Sequence, residues 1–240
     1  MRVFLVITSI FFLAACTKPT STDAQEAKEY YTFKKGSYDG IGKWYLGREI
    51  AFVMGYQGIS WLERVERERE EETSKLIQFL NIGDDDVIAD IGAGSGYHVF
   101  RMAPKAPNGI IYGVDIQQEM LDAMQRKIAS SGIENVRLIK GSEQTVNLPE
   151  NAVDKVLMVD VYHEFSFPFE MMQSISKALK PKGKIYLIEY RGEDPTVPIK
   201  PLHKMTEKQA VKEMSAAGFE MEENKKGLPW QHCMVFVKKN

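Results

Sequence analysis

The run Val87-Ile88-Ala89-Asp90-Ile91-Gly92-Ala93-Gly94-Ser95-Gly96 constrains the fold of this 240-residue chain more than any other stretch. An apolar strand ends there in a Gly-x-Gly-x-Gly turn, and a second acidic residue, Asp115, closes the next apolar run, Ile110-Ile111-Tyr112-Gly113-Val114. Gly92 and Gly94 place no side chain where the backbone must turn sharply and approach a ligand, and positive φ costs them little. An acidic residue at a strand end, about twenty residues on, can accept hydrogen bonds from both hydroxyls of a ribose. That pairing points to a nucleoside. Dinucleotide turns space their glycines as Gly-x-Gly-x-x-Gly so that a pyrophosphate meets a helix N-terminus. Here the third glycine comes one position early, which disfavours a nicotinamide oxidoreductase.

Beyond this turn, strand and helix signals alternate. A helix is expected over 117–130, with Met120, Leu121, Met124 and Ile128 on one buried face. Strands are expected over 136–140, 155–159 and 184–190, with a helix over 169–179 that Lys180-Pro181-Lys182-Gly183 stops. Thr206 is placed to cap a helix running to Ala217, with Gly218 behind it. Residues 219–223 and 233–237 read as a closing antiparallel pair. Such alternation predicts an α/β fold with a doubly wound, mainly parallel sheet. Its ligand lies beyond the carboxyl ends of the strands, at the switch between the first and fourth.

Upstream, residues 31–82 form an N-terminal helical or lid segment, and 83–240 the nucleoside-binding domain. Tyr38, Trp44, Tyr45, Phe52, Tyr56 and Trp61 make the segment too apolar for a linker, so it packs either as an extra core layer or as a lid. Residues 63–72 alternate Glu and Arg and read as a solvated helix with i,i+4 pairs rather than a binding surface. The net charge of −2 and the scattered Lys and Arg give no electrostatic footprint for nucleic acid. Cys233 sits in an apolar run and reads as a small core residue.

The first sixteen residues are of a different kind. Met1-Arg2, an apolar run over 3–12 and Leu13-Ala14-Ala15-Cys16 have the flanks of an export signal and are too short to span a bilayer comfortably. Leu-Ala-Ala-Cys resembles a bacterial lipobox, which implies a signal peptide over 1–15, lipidation of Cys16 and a flexible tether over 16–30. The expected location is periplasm-facing and membrane-anchored through the lipid. Thr17 after the cysteine favours the outer membrane, and an unused signal would leave the protein in the cytoplasm.

The glycine turn with Asp90 before it resembles motif I of class I S-adenosylmethionine (SAM)-dependent methyltransferases. The resemblance implies a Rossmann-like seven-stranded sheet of order 3-2-1-4-5-7-6, ending in the antiparallel pair. It implies SAM as the cofactor. Asp90 would orient its methionine moiety, the turn Gly92, Ala93, Gly94 and Gly96 would run beneath it, and Asp115 and Ile116 would flank the ribose. Ser142 and Glu143 stand where the family often has an aspartate near the adenine. Asp160 would line the pocket. Tyr162 and His163 join it as catalytic candidates, His163 as a general base near its ordinary pKa or, equally, as a cap holding the loop.

No Asn/Asp-Pro-Pro-Tyr/Phe turn follows the fourth strand, which argues against base methylation. A single cysteine outside the signal cannot supply an arsenite site. The segments Met54-Gly55-Tyr56-Gln57-Gly58, Trp61-Leu62-Glu63-Arg64, Asp160-Val161-Tyr162-His163-Glu164-Phe165 and Lys200-Pro201-Leu202-His203-Lys204-Met205 are similar to those of exported bacterial methyltransferase-like proteins, over about residues 48–240. That likeness brings Gln57, Trp61 and Arg64 to the substrate side. Tyr190, Arg191 and Lys204 join them from the loop after the fifth strand, whose Arg, Lys and His would face the acceptor. The expectation is methyl transfer to a small-molecule acceptor, with no metal. The alternative is a non-catalytic lipoprotein, a sensor or scaffold that binds SAM or S-adenosylhomocysteine.

Overall fold

A computed structural model describes residues 30–239, so the signal segment, Cys16 and most of the tether lie outside the described residues. The described chain opens with an antiparallel sheet of three strands, β1 (Tyr31–Phe33), β2 (Gly40–Tyr45) and β3 (Arg48–Ala51). Three short helices follow, α1 (Ile59–Leu62), α2 (Arg67–Glu71) and α3 (Thr73–Phe79). The N-terminal segment is therefore part sheet, which its irregular aromatic spacing did not reveal.

The alternating pattern is realised as β4 (Val87–Ile91), α4 (Val99–Met102), β5 (Ile110–Asp115), α5 (Gln118–Ser131), β6 (Val136–Lys140), β7 (Val153–Val159), α6 (Pro168–Ala178), β8 (Leu179–Tyr190), α7 (Glu207–Ala216), β9 (Phe219–Lys225) and β10 (Gln231–Lys238). These strands form a seven-stranded sheet of order β6-β5-β4-β7-β8-β10-β9. Counted from β4, that order is 3-2-1-4-5-7-6. Strands β4 to β8 run parallel, and β10 inserts antiparallel between β8 and β9.

Both faces of the sheet are buried, as a parallel sheet under crossover helices requires. Ile88 packs on one side with Leu76, Leu80, Val99, Met102 and Met124. Its neighbours Ala89 and Ile91 pack on the other with Met172, Ile175, Met214 and Phe219. The side-chain period of two thus divides one strand between two cores. Thr206 caps α7 by accepting from the Gln209 N–H at 3.1 Å, and Cys233 is fully buried.

Two elements differ from expectation. The sequence Lys180-Pro181-Lys182-Gly183 does not leave the sheet, because Leu179 pairs with Val153 and the register slips before Lys155 meets Lys184. Proline is tolerated at such an irregularity, where no ladder donor is needed. Of the expected helix over 63–72 only Arg67–Glu71 is helical, and Glu72, at φ 48°, ends it. One face is solvated, but its i,i+4 pair Arg67–Glu71 is buried, with Arg67 lying 4.3 Å from the Tyr97 ring centre. The small sheet is tied down by Arg48, whose guanidinium holds both oxygens of the buried Glu213 on α7 at 2.7 and 2.9 Å. No helix among the described residues is long and apolar enough to cross a membrane.

Candidate active site

A cavity of about 590 Å³ opens at the carboxyl ends of β4, β5 and β7. Its floor is the glycine turn. Gly92 and Gly94 hold φ 71° and 55°, and the Gly92 and Ala93 N–H groups both donate to the Val114 carbonyl, folding the turn back over β5. A Cβ on Gly92 would overlap Val161, and one on Gly94 would stand 2.6 Å from Leu62. Asp115 accepts from the Gly94 N–H at 2.9 Å and from the Gln117 N–H at 2.8 Å. Burial raises its pKa, against the lowering effect of those backbone donors. Ile116, Ser142 and Glu143 line the same end, and the Ser142 hydroxyl accepts from the Gln144 and Thr145 N–H groups to close its turn.

The rest of the turn serves the core. A side chain at Gly96 would meet Phe100 and Met124, and Ala93 packs in the buried cluster, so neither reaches the cavity. Asp90 lies buried beneath the turn and does not line the cavity. Its Oδ2 has no protein partner. Burial pushes its pKa up to about 7, opposed by the charge of Arg67 and assisted by that of Asp115.

One wall is charged and interlocked. Glu71 accepts from Arg64 and Arg67 at 2.6 Å each and from the Tyr190 hydroxyl at 2.9 Å. Arg64 in turn lies 3.7 Å from the Trp61 ring centre. Beside them Asp160 holds φ 50°, an uncommon conformation for a residue other than glycine. Its Oδ2 accepts from Gln231 at 2.7 Å, while Oδ1 is buried without a protein partner. Burial, with the nearby Glu71 and Glu189 carboxylates, pushes Asp160 well above the ordinary carboxylate range.

At the other end, His163, Glu164 and His203 converge. His163 Nδ1 is 2.6 Å from Glu189 Oε2, and its Nε2 is 3.1 Å from His203 Nδ1. Burial alone would lower the His163 pKa, but Glu189 and then Glu164 outweigh it and raise it to about 10. Those carboxylates favour the charged imidazole. Glu164, despite its burial, is held down to about 2 by His163 and His203.

Of the other expected substrate residues, Trp61, Arg64 and Tyr190 line the cavity, and so do Lys200 and His203 of the proline-containing loop. Besides Asp90, Ala93 and Gly96, four more expected site residues do not. Tyr162 is fully buried between Phe165 and Arg48, where burial raises its hydroxyl pKa, so it is core. Arg191 is consumed by the carbonyls of Leu228, Pro229 and Gln231 and by Asp194. Lys204 donates to the carbonyls of Asp194 and Val197, and Gln57 is exposed outside the cavity. At Arg191 and Lys204 these bonds claim the charge that a ligand would need. Conversely, Arg67, Glu71 and Glu189 escaped the sequence reading. The only signal for the first two was their i,i+4 spacing, which ordinarily marks a solvated pair.

A methyltransferase-domain family profile matches residues 82–234, well over half of the chain. The chain belongs to the class I SAM-dependent methyltransferase family. This methyltransferase is 33% identical over 144 residues to the uncharacterized methyltransferase YdaC of Bacillus subtilis, a match covering 60% of the chain and 77% of YdaC. It is 28% identical over 117 residues to the ubiquinone/menaquinone biosynthesis C-methyltransferase UbiE of Wigglesworthia glossinidia brevipalpis, covering 48% of the chain and 47% of UbiE. The fold matches a crystal structure of a SAM-dependent methyltransferase from Aquifex aeolicus, with TM-score 0.72 and 20% identity over 77% of this chain and 98% of that one.

SAM is the cofactor of this family, and the residues present suit it. The Gly92–Gly94 turn leaves a cradle that side chains would fill, and Asp115 offers a buried carboxylate. The buried, unpartnered Oδ1 of Asp160, a cavity-lining residue, is a polar atom left for a ligand to satisfy. Gly92, Gly94, Asp115 and Asp160 would therefore hold it.

Proposed function

We propose that this methyltransferase acts on a small, largely apolar acceptor held at the His163–His203 end of the cavity. The observation that carries the reading is one continuous cavity. It joins the glycine turn and Asp115 at one end to the histidine pair at the other. Its exposed lining includes an apolar stretch, Phe52, Val53, Trp61 and Ile116, each more than a third exposed, beside the polar Ser142, Glu143 and Lys200. A stretch of that kind favours an acceptor with an apolar ring or chain, and the UbiE likeness is compatible with a quinol-like body.

The cofactor supplies a methyl group on a sulfonium with a neutral leaving thioether, so the reaction needs alignment more than acid–base help. The chain provides that alignment. Residues 52–54, 61, 62 and 64 form one side of the cavity. The Gln117 side-chain oxygen accepts from the Tyr56 N–H at 2.8 Å, and its amide donates to the Met54 carbonyl at 2.9 Å, pinning that side to the Asp115 end. His163, held by Glu189 on one ring nitrogen and by His203 on the other, bounds the acceptor end.

Export and lipidation at Cys16 remain part of this proposal and rest on the signal sequence alone. They would place the enzyme away from cytoplasmic SAM, so membrane fractionation of a Cys16→Ser variant belongs with the activity assay. Calorimetric titration of the purified protein with SAM, S-adenosylhomocysteine and NAD is the direct test. Micromolar binding of the first two without NAD supports the reading, and a screen of apolar hydroxyl and thiol acceptors with labelled SAM then follows. Folded protein that binds neither adenosyl ligand would refute it.

A further inference from the structure

We propose that His163, His203 and Glu164 form a site for one divalent transition-metal ion of the zinc class, open to the cavity. His163 Nε2 and His203 Nδ1 stand 3.1 Å apart, with Glu164 Oε1 at 3.4 Å from the latter and 3.7 Å from the former. Zinc holds nitrogen and oxygen ligands at about 2.0–2.1 Å, so two corners of its tetrahedron lie roughly 3.4 Å apart. The three separations bracket that value. Two imidazoles and one carboxylate are also the donor set of zinc sites that keep a position open for substrate.

On His163 and Glu164 the atoms facing away from this cluster are already engaged, which decides which of their atoms are free to ligate. His163 Nδ1 is held by Glu189, a fully buried carboxylate that also accepts from the His163 N–H at 3.3 Å. Glu164 Oε2 accepts from the Met54 N–H at 3.0 Å. A carboxylate on the far nitrogen of a ligating histidine fixes its tautomer and ring direction, and such partners ordinarily accompany metal ligands. The two imidazoles meet nearly at right angles, with an interplanar angle of 81°. Their nitrogens therefore converge on a point while the rings stay apart.

All three side chains line the cavity, so the open coordination position faces the acceptor. Binding of the ion would release the proton shared between Nε2 and Nδ1 to solvent. A hydroxyl or thiol acceptor could then ligate the ion as its anion, its own proton also passing to solvent, and attack the methyl carbon while the thioether leaves. That role rests on the methyltransferase reading; the binding of the ion does not.

The test is a titration of the metal-stripped full chain with Co²⁺, followed by competition with Zn²⁺. One equivalent of Co²⁺ is expected to give visible d–d absorption of four-coordinate strength, abolished by Zn²⁺. His203→Ala, in a half-exposed loop, is expected to remove the band with far-UV circular dichroism unchanged. Glu189→Gln keeps every ligand and is expected to weaken binding by about 10–100-fold. Absence of stoichiometric binding at micromolar Co²⁺ or Zn²⁺, or binding unaltered in His203→Ala, would overturn the site. S-adenosylhomocysteine affinity measured on the same samples separates the two readings. Its presence without metal binding refutes the metal site alone, and its absence with metal binding refutes the cofactor pocket alone.

Discussion

The N–H of Gly94 donates to Oδ2 of Asp115 at 2.9 Å, joining the floor of the cavity to the end of the neighbouring strand. The other carboxylate oxygen takes the Gln117 N–H at the start of α5, so one side chain sets both the turn and the helix that frame the ligand. This coupling makes Asp115 the most direct probe of the pocket. Asp115→Ala is expected to weaken S-adenosylhomocysteine binding by about 1–3 kcal/mol, read by calorimetry. An unchanged dissociation constant would move the pocket elsewhere.

Gly92 is close-packed as well as left-handed, because a Cβ there would overlap Val161. Gly92→Ala is expected to cost about 1–3 kcal/mol of folding stability through overpacking, and more through its positive φ. Val161→Ala in the same chain would return the steric part only. Urea denaturation of the two single variants and the double variant measures this; strict additivity would show that the contact is unimportant.

Glu71 neutralises Arg67 inside the protein, the two side chains being about 1% and 5% exposed. Removing one partner of a buried pair leaves an uncompensated charge, so Glu71→Ala is expected to lose about 3–5 kcal/mol. Replacing both with apolar residues, Arg67→Met with Glu71→Leu, should recover most of that loss. If the double variant is no more stable than Glu71→Ala, the cost lies in the Arg64 and Tyr190 bonds instead.

Asp90 gives a pH signature. Burial holds its carboxyl at about 7, whereas an unfolded aspartate titrates near 4. Between those values the folded chain keeps a proton that the unfolded chain releases, so this contribution to stability falls as pH rises and levels off above about 7. Asp90→Asn lacks that slope. Its melting temperature relative to the natural chain is therefore expected to be higher at about pH 8 than at about pH 5. A pH-independent difference between the two proteins would show that Asp90 titrates normally.

The local grammar of the fold was legible before any coordinates. The glycine turn, Asp115, the Thr206 cap and the alternation of apolar runs predicted β4 to β10, because each signal is written within about ten residues and read against a period of 2 or 3.6, whereas the strand order was implied by the family resemblance. The charged run 63–72 misled for the same reason. A local pattern shows that Arg67 can pair with Glu71, and only packing against Tyr97 and Tyr190 decides that the pair is buried. The loop after β8 behaved likewise: Arg191 was spent on the carbonyls of Leu228, Pro229 and Gln231 and Lys204 on those of Asp194 and Val197, while His203 was left facing the cavity.

By itself, then, the sequence determined an α/β methyltransferase sheet and a nucleoside-type turn on it. Tertiary structure alone decided that His163, Glu164, Glu189 and His203, drawn from the turn after β7, from β8 and from a distant loop, would share one end of one cavity. Convergence across forty residues depends on how crossovers and loops dock on the sheet. No window of sequence carries that information, because the contacts that fix it are made between windows.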